Sequence, residues 1–348
     1  MSSGILASDE YWMRRAIELA KRGEGTTYPN PIVGALIVKG GALVSEGYHE
    51  RAGGPHAEVC ALRSSRKPVR GACLYVTLEP CSSHGRTPPC TEAIREAGIG
   101  RVVYGATDPN PRHAGRAKEF FCNSGIEVVT GVLGKECEEL NRAWNKWIAT
   151  GLPYVIAKAG MSLDGRIKVP AGRRWITSVE ARRDAMRLRA GCDAVLVGGQ
   201  TIRDDNPRLT VRGVRRPPVR PPLLRAVWTR SGRLPTESRI FTDKDAGLTR
   251  IFKNVPLREA LAALGREGVQ KCLIEGGGRT LGEAFDQGLV DEVVIYLEPV
   301  FIGGDVAAVS GRGAGSPEEA LWLEGVSVKK FDTTLRLAGR ARRSGCEF

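Results

Sequence analysis

The chain has 348 residues, 42% hydrophobic and 26% charged, with a formal net charge of +13. That length exceeds one ordinary core and points to two domains, while the composition is that of a globular protein and does not point to disorder. No apolar run reaches the roughly 18 residues of a membrane helix, Met1 to Arg15 lacks the apolar stretch of a signal peptide, and nine scattered cysteines suit a reducing cytoplasm better than a disulfide framework. In chain order, Ser8 reads as the cap of a helix with Asp9 and Glu10 in its first turn; Met13, Ala16, Ile17 and Ala20 form its apolar stripe, ending near Gly23. Tyr28-Pro29-Asn30-Pro31 is a rigid turn before a strand at Val33–Val38. Gly40-Gly41 turns a hairpin into a second strand, Leu43–Tyr48. A helix is expected from His56, with Cys60 and Leu62 toward the core, then a strand at Ala72–Leu78 and a helix at Thr91–Ala97 opened by Cys90. Strands at Val102–Gly105 and Ile126–Val129 complete a layered α/β domain that ends near Trp147, and Ala149–Pro153 reads as a linker.

The second half opens with a strand, Tyr154–Ala159. A basic helix at Val179–Arg189 is capped from the Trp175–Ser178 segment, and a buried strand follows at Ala194–Val197. Asp205-Asn206-Pro207 reads as a turn. Arg212 to Arg225, laced with Pro217, Pro218, Pro221 and Pro222, reads as a solvated extended loop rather than a nucleic-acid arm. Cys272–Glu275 is a strand, and Gly276-Gly277-Gly278 leads from it into a helix. Such a turn lets backbone N–H groups and a helix N-terminus face a phosphate, although it is not the spaced glycine fingerprint of a Rossmann unit. The basic, small-residue tail from Ala338 to Phe348 reads as poorly ordered.

Pro55-His56-Ala57-Glu58, answered by Pro80-Cys81 and Cys90, carries the chemistry. One imidazole and two thiolates suit tetrahedral Zn²⁺ with a fourth position left for water. Glu58 lies close enough in sequence to reach that water without ligating the metal. An H-x-E followed by P-C and a second Cys is the signature of zinc-dependent base deaminases. Ligands at helix N-termini gain from the partial positive charge there, which favours thiolate over thiol. Asn30 sits where a substrate could be held, and equally where a turn needs an Asn.

The segments PNPIVG (Pro29 to Gly34), GYHERAGGPHAE (Gly47 to Glu58), VTLEPCSSHGRTPPC (Val76 to Cys90) and DPNP (Asp108 to Pro111) resemble, nearly letter for letter, the motifs of the riboflavin-pathway deaminases. The long loop between Cys81 and Cys90 separates them from polynucleotide deaminases, which use a short C-x-x-C turn. The resemblance implies a diaminohydroxyphosphoribosylaminopyrimidine deaminase domain of the cytidine-deaminase-like three-layer α/β/α fold over residues 1–148. In it, His56, Cys81 and Cys90 would hold one zinc ion and Glu58 would shuttle the proton. Asn30, His49, Arg86, Asp108 and Asn110 would line the substrate pocket, and His84 falls on the loop as a substrate contact or an exposed residue.

KAGMSLDG, WITS, DNPRLTVR and EGGGRTLGEAF resemble the NADPH-dependent reductase domain fused to this deaminase in bacteria, a dihydrofolate-reductase-like α/β fold expected here over 149–348. Carried over by position, Lys158, Gly160, Trp175, Thr201, Asp205, Gly277, Gly278, Arg279, Thr280, Leu281, Gly282 and Glu283 would bind NADPH. Arg189, Leu209, Arg212 and Glu275 would contact the substrate, with the Arg forks suited to a phosphate. Two departures stand out: Arg173 where the family has a serine, and Arg230 at the end of a strand where the family has Asp-Ser or Asp-Gly. The resemblance implies a cytoplasmic bifunctional enzyme acting on phosphorylated pyrimidines, with no membrane or nucleic-acid partner and with a homo-oligomeric state common in such families. A deaminase with a degenerate reductase half, or a nucleic-acid-editing deaminase, are the alternative readings; the 6% aromatic content offers little for base stacking.

Overall fold

The computed structural model describes residues 7–83, 88–110, 113–169, 175–217 and 219–343. They form two compact units, one built on the chain up to Thr150 and the other on the chain from Gly151.

The first unit runs α1 (Ala7–Ala20), β1 (Gly34–Lys39), β2 (Ala42–Tyr48), α2 (Ala57–Ser64), β3 (Cys73–Leu78), α3 (Cys90–Glu96), β4 (Arg101–Ala106), α4 (Arg116–Asn123), β5 (Glu127–Thr130), α5 (Gly134–Leu140) and α6 (Arg142–Thr150). Its five strands form one sheet in the order β2-β1-β3-β4-β5. The strand β1 is antiparallel to both neighbours, and β3, β4 and β5 are parallel. Side chains alternate across the sheet as the strand repeat requires. Leu74, Val76, Val102 and Tyr104 pack with Ala57, Ala61, Ile94 and Phe121 from α2, α3 and α4. Tyr75 and Val103 pack on the opposite face with Met13, Ala16 and Cys137 from α1 and α5. The result is three layers, helix–sheet–helix.

Asp9 does more than complement the helix dipole of α1. It is fully buried and accepts hydrogen bonds from Arg101 Nη1 at 2.8 Å, Arg101 Nη2 at 3.1 Å and the Tyr75 hydroxyl at 2.9 Å, so it ties α1 to β3 and β4. Glycine sets the depth of α2. A Cβ on Gly47 of β2 would lie 2.6 Å from the Cys60 Cβ, so only a bare Cα lets the helix approach this strand. Ala57, Glu58 and Ala61 are buried; Leu62 is half-buried and packs against the core as expected, while Cys60 is half-buried against Gly47. The segment read as a linker is still helical at Ala149 and Thr150, at the end of α6.

The second unit runs β6 (Tyr154–Ser162), α7 (Val179–Ala190), β7 (Ala194–Gly198), α8 (Gly199–Asp205), β8 (Leu224–Thr229), α9 (Arg239–Thr242), β9 (Thr249–Lys253), α10 (Leu257–Arg266), β10 (Lys271–Ile274), α11 (Gly278–Asp286), β11 (Glu292–Glu298), β12 (Leu321–Phe331) and β13 (Thr334–Arg343). Its eight strands are ordered β12-β13-β11-β6-β10-β7-β8-β9; those from β11 to β9 are parallel, and β13 is antiparallel to both its neighbours. Ser178 caps α7 as expected, its Oγ accepting from the Ala181 N–H at 3.2 Å. Asp205 ends α8 rather than opening a turn; the left-handed residue is Asn206, with φ 42°.

Two readings of this half need correction. The described residues of the Arg- and Pro-rich segment form an irregular, largely exposed loop as far as Leu223, as expected, but its end is not solvated. Arg225 is 1% exposed in β8, bridging to Asp243 Oδ1 and Oδ2 at 2.9 and 2.7 Å, and Arg216 donates to the Ala190, Cys192 and Pro221 carbonyls. Alternating Arg and Pro looks like loop composition, but a guanidinium can be buried when its terminal nitrogens find acceptors, as both do in Arg225. The tail is not loose either, because Ala338 to Arg343 pair with β11 and β12 as the end of β13; residues 344–348 lie outside the described residues.

Candidate functional site

Three loops of the first unit end at one point. His56 is the N-cap residue of α2, Cys81 lies just past β3, and Cys90 is the first residue of α3. The His56 Nδ1 is 3.2 Å from the Cys90 Sγ and 3.5 Å from the Cys81 Sγ, and the Cys90 N–H donates to the Cys81 Sγ at 3.3 Å. All three ligand atoms lie within 4.8 Å of one another, the one such cluster among the described residues. One imidazole and two thiols on separate, rigid elements form a borderline-soft donor set, and the set fits zinc with a position left over. Hydrogen bonding from Cys90 holds the Cys81 thiol down to about 4, and the hydrogen bond to Cys81 raises the His56 imidazole to about 9. Cys90 is pushed up by the same hydrogen bond.

Glu58 sits in the first turn of α2, 4% exposed, and burial pushes its carboxyl up. A raised carboxyl holds a proton more readily than a free one, which suits a proton carrier. It faces a cavity of about 260 Å³ lined also by Asn30, His49, Asp108, Asn110, His113 and Trp144. His49 has both ring nitrogens engaged: Nδ1 donates to the Pro55 carbonyl at 2.9 Å, leaving Nε2 to accept from Asn30 Nδ2 at 3.2 Å. Burial lowers its imidazole, consistent with the neutral tautomer that this pattern requires. Asp108 Oδ1 accepts the Asn110 N–H at 2.8 Å, and burial raises the Asp108 carboxyl. Among the expected deaminase residues, the structure therefore brings Asn30, His49, Glu58, Asp108 and Asn110 together with the three ligands. Arg86 and His84 lie outside the described residues. Sequence reasoning missed Glu79, His113 and Trp144. Only Glu79 had a signal, its place directly before Pro80-Cys81.

In the second unit, Glu275 follows β10 and receives Arg189 Nε at 2.7 Å and Nη2 at 2.6 Å; Arg189 Nη1 donates to the Thr210 carbonyl at 2.8 Å. Burial favours the neutral Glu275 acid, but the charges of Arg189, Lys158 and Arg212 outweigh it and hold the carboxyl at about 2. Two of the expected substrate residues, Arg189 and Arg212, thus act on the Glu275 carboxylate, while Leu209 is buried and precedes Thr210 in the chain at a φ of 54°. A larger cavity of about 480 Å³ holds Arg212 with Arg208, Arg239 and Lys244, but none of the other expected residues.

At the β10–α11 turn, Gly277 has φ 65°, and a Cβ there would come 3.2 Å from the Thr201 Oγ1. A bare Cα here lets the turn lie against the Thr201 hydroxyl. Gly278 starts α11 and Arg279 is exposed on it. Thr280 faces Gly198, Leu281 is packed into the core at 1% exposure, Gly282 lies against the Ser310 backbone, and Glu283 accepts from Gln287. Gly160 lies on β6 against Thr177, and Lys158 lies on the same strand with its Nζ 5.8 Å from the Tyr296 ring. Trp175 is 52% exposed beneath the Arg182 guanidinium. Thr201 and Asp205 lie on α8, Arg230 is exposed just past β8, and Arg173 lies outside the described residues.

Residues 6–106 match the cytidine and deoxycytidylate deaminase zinc-binding region, and residues 153–337 match the RibD C-terminal domain. The riboflavin biosynthesis protein RibD of Escherichia coli is 41% identical over 85% of this chain and 89% of its own; that of Mycobacterium tuberculosis is 39% identical over 95% and 96%. The RibD structure from Acinetobacter baumannii superposes with a TM-score of 0.83 at 36% identity, covering 96% of this chain and 99% of that one. A Thermotoga maritima structure described as a diaminohydroxyphosphoribosylaminopyrimidine deaminase/5-amino-6-(5-phosphoribosylamino)uracil reductase has a TM-score of 0.78 at 33% identity, covering 96% and 99%. The chain belongs to the RibD family of riboflavin biosynthesis, bifunctional enzymes that join a zinc-binding deaminase domain to an NADPH-using reductase domain.

Proposed function

We propose that residues 1–148 deaminate 2,5-diamino-6-(5-phosphoribosylamino)pyrimidin-4(3H)-one, and that residues 149–348 reduce the ribosyl group of the product to a ribityl chain. The observation that carries the first step is the convergence of His56, Cys81 and Cys90 beside the buried Glu58, with His56, Cys81 and Glu58 lining a cavity shared with Asn30, Asp108 and Asn110. His56, Cys81 and Cys90 hold the metal. Bound there, zinc acidifies a water to a pKa of about 7 and so supplies the nucleophile. Glu58 is placed to pass one proton from water to the pyrimidine ring nitrogen as the carbon–oxygen bond forms, and then to carry a second, from the added hydroxyl, to the amine, which leaves as ammonia when the carbon–nitrogen bond breaks. Asp108 and Asn110 hold the ring's polar edge. Asn30 does so from a side chain that His49 orients, and Arg86 belongs to the same pocket by its place in the motif.

In the second step, NADPH when bound supplies the hydride. Gly160, Trp175, Thr201, Asp205 and the segment Gly277 to Glu283 hold the cofactor, with Lys158 at its edge, through backbone as much as side chains, since Leu281 is a core residue. Arg189, Leu209, Arg212 and Glu275 hold the phosphorylated substrate. The substrates are small anions, which the net charge of +13 favours. No helix among the described residues is long and apolar enough to cross a membrane. We place the enzyme in the cytoplasm as a homo-oligomer that works without nucleic acid. Incubation of zinc-loaded protein with the diaminopyrimidine phosphate tests the reading: ammonia appears without NADPH, and the deaminated product accumulates until NADPH is added. Absence of ammonia release contradicts it.

A further inference from the structure

One buried carboxylate beside the deaminase pocket takes no part in the chemistry above. Glu79 is the first residue after β3, is 4% exposed and precedes Pro80-Cys81. Its Oε2 accepts the backbone N–H groups of Asp108 at 3.1 Å and Gly115 at 3.0 Å, and its Oε1 accepts the Ala117 N–H at 3.0 Å. Its own N–H donates to the Ala106 carbonyl at 2.8 Å. Asp108 opens the loop between β4 and α4, Gly115 closes it, and Ala117 is in the first turn of α4. A single side chain therefore pins both ends of this loop to the end of β3.

Among the described residues of the loop, short-range hydrogen bonds join the two sides of the turn. Asp108 Oδ1 accepts the Asn110 N–H, and the Asn110 carbonyl accepts the His113 and Ala114 N–H groups at 2.8 and 3.0 Å. None of these bonds fixes where the turn sits relative to the metal ligands. Glu79 does, because its backbone is continuous with Cys81 while its carboxylate carries the loop that brings Asn110 and His113 to the cavity. Three backbone N–H groups converging on one buried side chain suit a group that must locate a loop.

We propose that Glu79 is a positioning residue for deamination, setting the distance between the pyrimidine-holding loop and the zinc ligands. This rests on the deaminase reading of the pocket. Carboxylates that orient a site from behind are worth about 10- to 100-fold in activity, and small misplacements of bound substrate cost on that order too.

The test uses the full-length, zinc-loaded chain as wild type, Glu79→Gln and Glu79→Ala. KM and kcat for ammonia release, zinc content, and the NADPH-dependent rate on ready-deaminated substrate are measured for each. The expected result is a KM raised about 10- to 100-fold in Glu79→Ala and by less in Glu79→Gln, which keeps one acceptor oxygen. The zinc content and the reductase rate stay at the wild-type value. Unchanged KM in both variants beside an active wild type overturns the inference alone, and so does zinc loss that tracks the activity loss, since Glu79 then only supports the metal. Should Glu79→Ala fail to fold, seen as loss of the reductase rate as well, Glu79→Gln decides by the same criteria. A wild type that releases no ammonia overturns the deaminase reading and this inference with it.

Discussion

The Arg189 guanidinium takes both oxygens of the Glu275 carboxylate, Nε on Oε1 at 2.7 Å and Nη2 on Oε2 at 2.6 Å, with the Arg189 side chain 7% exposed. The pair joins the end of α7 to the end of β10, and its third donor holds the loop carrying Leu209 and Arg212. It is thus a structural tie between these elements.

Removing one partner of such a pair leaves an uncompensated buried charge. Glu275→Gln is expected to lower stability by about 3 kcal/mol at neutral pH, read from the denaturant midpoint, and to weaken NADPH oxidation with the deaminated substrate. The pH dependence has a defined sign. Glu275 has a folded pKa of about 2 against 4.5 for the free group, so the folded state binds its proton less tightly. Its stabilisation is complete above roughly pH 5 and is lost as pH falls toward 2, and the variant should show a shallower acid limb. Equal acid limbs in the two proteins would contradict this assignment.

Cys81→Ser and Cys90→Ser are each expected to bind zinc far more weakly and to lose ammonia release by at least about a thousandfold, while retaining the reductase rate on deaminated substrate. Metal analysis and the two separate assays check this. Retention of stoichiometric zinc by either variant would remove that cysteine from the ligand set.

Glu58→Gln separates metal binding from proton transfer. Zinc content is expected to remain at one per chain while kcat for ammonia release falls by about 10²- to 10⁴-fold, the usual contribution of a positioned acid–base group. A variant with near-normal kcat would assign the proton to another group.

Gly47→Val tests the packing that sets α2. The new side chain would be driven into Cys60 and the backbone of α2, so a stability loss of about 1–3 kcal/mol is expected, with ammonia release falling as His56 and Glu58 shift. Thermal unfolding and the ammonia assay are the readouts.

The deaminase pocket was legible because its chemistry is carried by rare residue types next to one another. His56, Cys81 and Cys90 with Glu58 announce themselves at any sensible register, and the sheet around them alternates apolar residues cleanly at Leu74, Tyr75 and Val76. What was not legible depended on long-range partners. Arg225 looks like any other arginine of a proline-rich loop until Asp243 and the Ile240 and Arg208 carbonyls surround it. Asp9 reads as a helix-start acid, and only the fold supplies Arg101 and Tyr75. Ala338 to Arg343 looks like a loose basic tail, yet the open edge of β11 gives its backbone a partner. Local sequence carries no record of such acceptors.

The most direct test of the account is a single time course with full-length, zinc-loaded protein, the diaminopyrimidine phosphate and NADPH, following ammonia and NADPH absorbance together. The account predicts that ammonia appears first, that NADPH oxidation follows after a lag and reaches one equivalent per ammonia, and that Glu58→Gln suppresses both signals. NADPH oxidation without ammonia release, or no ammonia at all, would contradict it.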